Sequence, residues 1–157
     1  MNIKTPKLRG IKKYFLKLDK LVESTNLSFT ENDWYDLWHT HYDWNGYGNK
    51  NRKYRNEHLK TGIKVFKKIL NQAKMFTKPY QCWMAINKND SSQDTIYFHT
   101  KNPNHDNFPY DLTKIVWSNK IPSLLNNLLK EEEYKYGYWD ECPELIWVIE
   151  KEIYNSK

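Results

Sequence analysis

Ile11, Tyr14, Phe15, Leu18, Leu21 and Val22 recur at helical spacing with lysines between them, which predicts an amphipathic helix over 11–22. Thr30-Glu31-Asn32-Asp33 has the form of a helix start, with Asp33 where a capping box holds Glu or Gln. Trp34, Leu37, Trp38 and His41 then fall on one helical face. Asn45-Gly46-Tyr47-Gly48-Asn49 breaks that pattern, because glycine enters positive φ without a Cβ clash. The longest apolar stripe, Leu59, Ile63, Phe66, Leu70 and Ala73, widened by Val65 and Ile69, predicts a helix over 52–75 that ends before Pro79. Gly62 inside it points to close packing.

After Pro79 the period changes. Tyr80–Ile86 and Thr95–His99 are apolar, aromatic and β-branched, and the polar stretch 87–94 between them predicts a β-hairpin. Lys114–Trp117 predicts a third strand. Pro122 suits the first turn of a helix carrying Leu124, Leu125, Leu128 and Leu129. Ile146, Val148 and Ile149 favour a closing strand over a helix in 145–154. Helices first and strands after give an α+β class: N-terminal helices packed on a small, mainly antiparallel sheet. The 157 residues fit a single domain over 1–157, long enough to bury a core without disulfides or metal.

Composition refines this picture. Aromatic residues make up 16% of the chain, with seven Trp, twelve Tyr and six Phe, so rings carry much of the burial. Cys82 and Cys142 form no closely spaced motif and read as reduced thiols. The N-terminal stretch has lysines but no apolar core of a signal peptide, and no apolar run of membrane-spanning length follows, so a cytoplasmic protein is expected. The net charge of +6 is uneven. Residues 1–20 hold seven Lys/Arg against Asp19, and residues 50–78 hold ten against Glu57. Residues 129–152 reverse the sign, with eight Asp/Glu against three Lys.

The densest chemistry lies in 33–48, where three Trp, three Tyr, two His and three Asp share sixteen residues. His39, His41 and Asp43, with His99 from the end of the second hairpin strand, form a candidate metal set for a hydrolase. On a regular helix His39 and His41 point about 200° apart, so that set needs an extended backbone. No nucleophile elbow, Walker loop or dinucleotide fingerprint is present. The lysines of 50–74 offer a phosphate-contacting face, but arginine is scarce and no nucleic-acid module is recognisable.

The runs Asp33–Gly46 and Tyr97–Asn104, with Phe108-Pro109 after them, resemble small, functionally undescribed bacterial proteins and, in general character, the immunity proteins encoded beside secreted toxins. The resemblance covers roughly residues 33–110 and includes no catalytic motif. It implies a single-domain protein that binds one cognate toxin and blocks it, and it carries over no site residues. Inhibitors of basic nuclease toxins are usually acidic, whereas this chain is basic, so such a partner would have to meet the acidic 131–152 segment.

The expectation is therefore a non-enzymatic, protein-binding protein without a cofactor, an immunity-type inhibitor whose partner is a toxin or another protein rather than nucleic acid or a membrane. Tyr and Trp dominate protein-interface hot spots. The candidate partner-binding residues are accordingly Tyr42, Asp43, Trp44 and Tyr47 in the aromatic loop, and Glu132, Tyr136, Tyr138 and Trp139 in the acidic segment. A metal-dependent hydrolase and a nucleic-acid-binding protein are the alternatives.

Overall fold

The computed structural model describes residues 11–24, 26–32, 34–39, 51–88, 94–100 and 114–155. Helix α1 (Ile11–Ser24) is followed by strand β1 (Trp34–His39) and the long helix α2 (Asn51–Ala73). Strands β2 (Tyr80–Asn87), β3 (Thr95–Thr100), β4 (Ile115–Ser118), β5 (Tyr134–Trp139) and β6 (Cys142–Glu150) come next, and the short helix α3 (Lys151–Asn155) closes the described chain. All five strand pairings are antiparallel, and the six strands lie in the order β1-β3-β2-β6-β5-β4. The α+β class holds.

The stripe of α2 is the core-facing surface. Leu59, Ile63, Val65, Phe66, Ile69, Leu70 and Ala73 are all buried. Backbone N–H groups of Met75 and Phe76 bond back three residues to Gln72 and Ala73, so the last turn tightens and the chain leaves towards Pro79. Helix α1 lies against α2. Its Val22 is buried, while Thr61 of α2 donates from its hydroxyl to Asp19 Oδ1 at 2.6 Å. Gln72 clasps the connection after α1 in both directions, accepting from the Leu27 N–H at 2.7 Å and donating to the Leu27 carbonyl at 3.0 Å. That clasp seats Phe29 edge-on against Phe76 and Phe98, with ring centroids 5.4 and 5.2 Å away.

Alternation along paired strands places Tyr80, Cys82, Met84, Ile86, Ile96, Phe98, Tyr134, Tyr136, Ile146, Val148 and Glu150 on the helix-covered face. The contacts Phe66–Tyr134 (6.2 Å) and Phe76–Phe98 (5.8 Å) join that face to α2 and its exit. The opposite face is buried too. Trp83 stacks on Tyr97 at 5.2 Å and on Trp147 at 5.8 Å, and both tryptophans are at most 5% exposed. With both faces inside, β2 loses the polar alternation of a half-exposed strand, which explains the apolar run in the sequence.

Three expectations are corrected. The helix expected from Trp34 onward is strand β1. Trp34 to His39 pair with His99 to Thr95, with a bulge between Asp36 and Trp38. Trp and Tyr suit strands, and the pairing overrides a spacing compatible with either state. The Thr30 hydroxyl accepts from the Asn32 N–H and makes a local turn instead of a helix cap. The helix expected after Pro122 is only a 3-10 turn over Ser123–Leu125, though Leu125 and Leu129 are buried as that stripe requires. The closing segment divides: it is strand to Glu150 and helix from Lys151. Strand β5 has no counterpart among the strands the sequence predicts. Its Tyr134 and Tyr136 are core residues.

Candidate protein-binding site

The charged end of the sheet is built where β6 runs out. Glu150 ends an apolar strand, pairs with Tyr134 of β5, and sits on the helix-covered face below the end of α2. Only 16% of its side chain is exposed. Lys74, one residue past α2, places Nζ 3.7 Å from Glu150 Oε1. Burial raises the Glu150 carboxyl above its ordinary value and outweighs the attraction of Lys74, and Glu152 and Glu133 add to the rise. The same surroundings push the Tyr80 phenol to about 12, through burial first and then through Cys82, Glu150 and Glu152. Tyr134 also rises to about 12, through burial and then Glu150 and Glu133.

A cleft of about 370 Å³ opens here, lined by Lys74, Thr77, Lys78, Pro79, Tyr80, Glu150, Glu152 and Ile153. Its rim is fixed by Glu31, whose Oε2 accepts from both the backbone N–H (2.9 Å) and the hydroxyl (3.0 Å) of Thr77. Those bonds hold the Glu31 carboxyl below its ordinary value. Lys78 is committed to Asn32 Oδ1. Cys82 lies beneath, fully buried, with its thiol pushed up by burial.

The turn 131–133 joins this end. The Lys151 N–H donates to the Glu133 carbonyl at 2.9 Å, which ties the turn to α3. The Ile121 N–H donates to Glu131 Oε1 at 3.3 Å, which orients the turn from the β4 side. Glu131, Glu132, Glu133 and Glu152 are exposed. Lys130 pairs with Glu133 at 3.5 Å. Five carboxylates therefore gather at one end of a chain whose net charge is +6.

Of the expected partner-binding residues, Glu132 belongs to this end. Tyr136 is fully buried, with its hydroxyl donating to the Lys130 carbonyl at 3.4 Å, so it is core and not contact surface. Tyr138 and Trp139 are half-buried at the far end of β5, Tyr138 roughly 13 Å along the strand from Tyr134. Lys88 Nζ lies 4.1 Å over the Tyr138 ring, a cation–π contact that occupies one face of that ring. Tyr42, Asp43, Trp44 and Tyr47 lie outside the described residues. No local pattern marks Lys74, Tyr80 and Glu150 as site residues. The available signal is an acid closing the apolar run Leu145–Ile149.

The register separates two members of the candidate metal set. His39 pairs with Thr95 and His99 with Trp34, so the two backbone positions sit at opposite ends of the β1–β3 pair, roughly 13 Å apart along it. His99 packs edge-on against Trp83 at 4.9 Å. His41 and Asp43 lie outside the described residues, and among the described residues no group of three or more His, Cys, Asp or Glu can hold a metal ion.

The described lysines Lys60, Lys64, Lys67 and Lys68 of α2 each have a contact within the chain. Lys64 bridges Asp19 (3.3 Å) and Glu23 (3.1 Å) of α1, and those partners hold its pKa up against a desolvation that lowers it. Lys60 pairs with Glu57, and Lys67 and Lys68 donate to the carbonyls of Leu128 and Glu23. No described helix is long and apolar enough to cross a membrane. No protein-family model, curated protein or solved structure matches the chain.

Proposed function

We infer that this protein is a binding protein that receives a basic protein partner on the acidic end of its sheet, in the manner of an immunity-type inhibitor and its cognate toxin. The observation that carries the reading is the gathering of Glu131, Glu132, Glu133, Glu150 and Glu152 at one end of a basic chain. Charge complementarity steers encounter and excludes wrong partners, and the five carboxylates outnumber the four lysines at the same end, Lys74, Lys78, Lys130 and Lys151, on a chain that is basic as a whole. The described lysines Lys60, Lys64, Lys67 and Lys68 of α2 support the reading from the other side, since each has a contact within the chain.

The test is affinity capture from the native cytosol with the wild-type chain and with a Glu131→Gln/Glu132→Gln/Glu133→Gln variant. The expected result is one stoichiometric basic protein that the wild type retains and inhibits, with capture weakened by salt and by the variant. Capture of a stoichiometric partner by both chains alike would overturn the acidic-end reading, and salt-sensitive retention of nucleic acid alone would overturn protein binding.

A further inference from the structure

The cleft beside Glu150 has an electrostatic layout that its outline alone does not reveal. Its least exposed charged wall is Glu150, and Glu152 stands on the first turn of α3 at the same opening. The C-terminal end of α2 closes above, and a helix C-terminus carries partial negative charge. The half-buried Tyr80 ring and the apolar Ile153 and Pro79 complete the lining. Two lysines also line it. Lys78 donates to the neutral amide of Asn32 and keeps its charge, but Glu150 has its ion pair with Lys74, which stands 3.7 Å away with half its side chain in solvent. A carboxylate largely removed from water requires close, well-aligned partners, and one loose cation supplies only part of that.

We propose that this cleft is the socket for a single lysine or arginine side chain of the protein partner, with Glu150 binding the cationic head and Tyr80, Pro79 and Ile153 receiving its aliphatic stem. The inference rests on the protein-binding reading and gives that partner an anchor residue. The fit is chemical on each side. A carboxylate pair receives the ammonium or guanidinium group, an aromatic ring tolerates a cation on its face, and apolar lining accepts the methylene stem that long basic side chains bury. The volume of about 370 Å³ lies in the range of preformed sites for small groups and exceeds what one side chain needs, so entry requires no opening of the core. Lys74 acts in the free protein as the resident competitor for Glu150. An incoming cation displaces it into solvent, where its exposure already lets it go.

That competition gives the experiment a signature with two signs. The probes are N-acetyl-arginine amide and N-acetyl-lysine amide, with N-acetyl-glutamine amide as the neutral control and putrescine as a free diamine. They are titrated into the full chain while backbone amide resonances are followed by NMR. The expected result is saturable shifts of Thr77, Tyr80, Glu150 and Ile153 with the two basic amides and not with the neutral one. Glu150→Gln should weaken binding by about tenfold or more. Lys74→Gln should strengthen it by roughly two- to fivefold, because an exposed competing pair is removed. Glu141→Gln, in the exposed turn between β5 and β6, should leave the probe affinity unchanged. A purely structural role for Glu150 would not make the Lys74 and Glu150 variants move in opposite directions.

Several outcomes would overturn the proposal: no saturable shift, equal shifts with the neutral amide, or shifts that survive Glu150→Gln. Putrescine saturating far below the amino-acid amides would assign the socket to a free diamine and overturn the partner side chain. Failure of the broader reading is distinguishable. A captured partner whose affinity ignores Glu150→Gln removes the socket and keeps protein binding, whereas probe binding without any captured partner keeps a cation site and removes the partner.

Discussion

Lys151 donates its backbone N–H to the carbonyl of Glu133 at 2.9 Å, and this bond extends the β5–β6 pairing so that two acidic stretches form one surface. Strand β6 brings Glu150 to the edge of the core, and the helix that starts at Lys151 carries Glu152. The bond fixes the turn 131–133 beside both. The main chain, not the acidic side chains, sets this proximity. Mutual repulsion among the carboxylates is thus held within the fold instead of spreading the segment apart.

Opposite pH responses are expected at Glu150 and Glu31. The folded-state pKa of Glu150 is raised from 4.5, so its contribution to stability is present below the unfolded value and is lost as pH rises through the folded value. Glu31 is lowered from 4.5, so its contribution is present above the unfolded value and is lost as pH falls through the folded value. Urea unfolding between pH 4 and pH 7.5 should show Glu150→Gln gaining on the wild type as pH rises, and Glu31→Gln losing ground over the same range. Parallel slopes for the two variants would contradict the assigned environments.

Gly137 is expected to be irreplaceable by alanine. A Cβ there would stand 2.5 Å from Ile115 Cγ2, 2.9 Å from Trp117 Cε3 and 2.9 Å from the Val116 carbonyl oxygen. Two of these belong to side chains of the neighbouring edge strand and the third to its backbone, so β4 must shift outward. Gly137→Ala should cost about 1–3 kcal/mol, as overpacking does, and should speed amide exchange in β4 before the rest of the sheet. Unchanged urea midpoint and unchanged β4 exchange would show that the close approach is not maintained in solution.

The two cysteines should differ sharply in reactivity. Cys82 is completely buried and its thiol is pushed up by burial, so little thiolate forms, whereas Cys142 is half-buried at the start of β6. Alkylation of the native protein at pH 8, read by peptide mass spectrometry, should label Cys142 and leave Cys82 until the chain is unfolded. Early labelling of Cys82 would mean that the end of the core beneath the cleft opens readily.

Much of this architecture is legible in the sequence where the periodic signal is long. The stripe Leu59 to Ala73 specifies α2, and the apolar runs around 80–87 and 95–100 specify the central hairpin. The strand β1 is misread because Trp34, Leu37 and Trp38 satisfy helical spacing while a bulge breaks their alternation, and only the pairing with Thr95–His99 decides. In β5, Tyr134, Tyr136 and Tyr138 do alternate, but the glutamates around them suggest surface, and the burial comes from the helix-covered face, where Phe66 of α2 meets Tyr134. For the site, the acidic composition of 131–152 is visible in the sequence, and its convergence with Lys74 and Tyr80 is not. That convergence depends on the sheet order, which no local pattern encodes.

Hydrogen–deuterium exchange on the chain alone and with its captured partner tests whether a basic protein occupies the acidic end. The expected result is protection on partner binding confined to 77–80, 131–133 and 150–153, and lost in parallel with affinity when salt is raised. Protection centred instead on α1 and α2, with those segments unchanged, would contradict it.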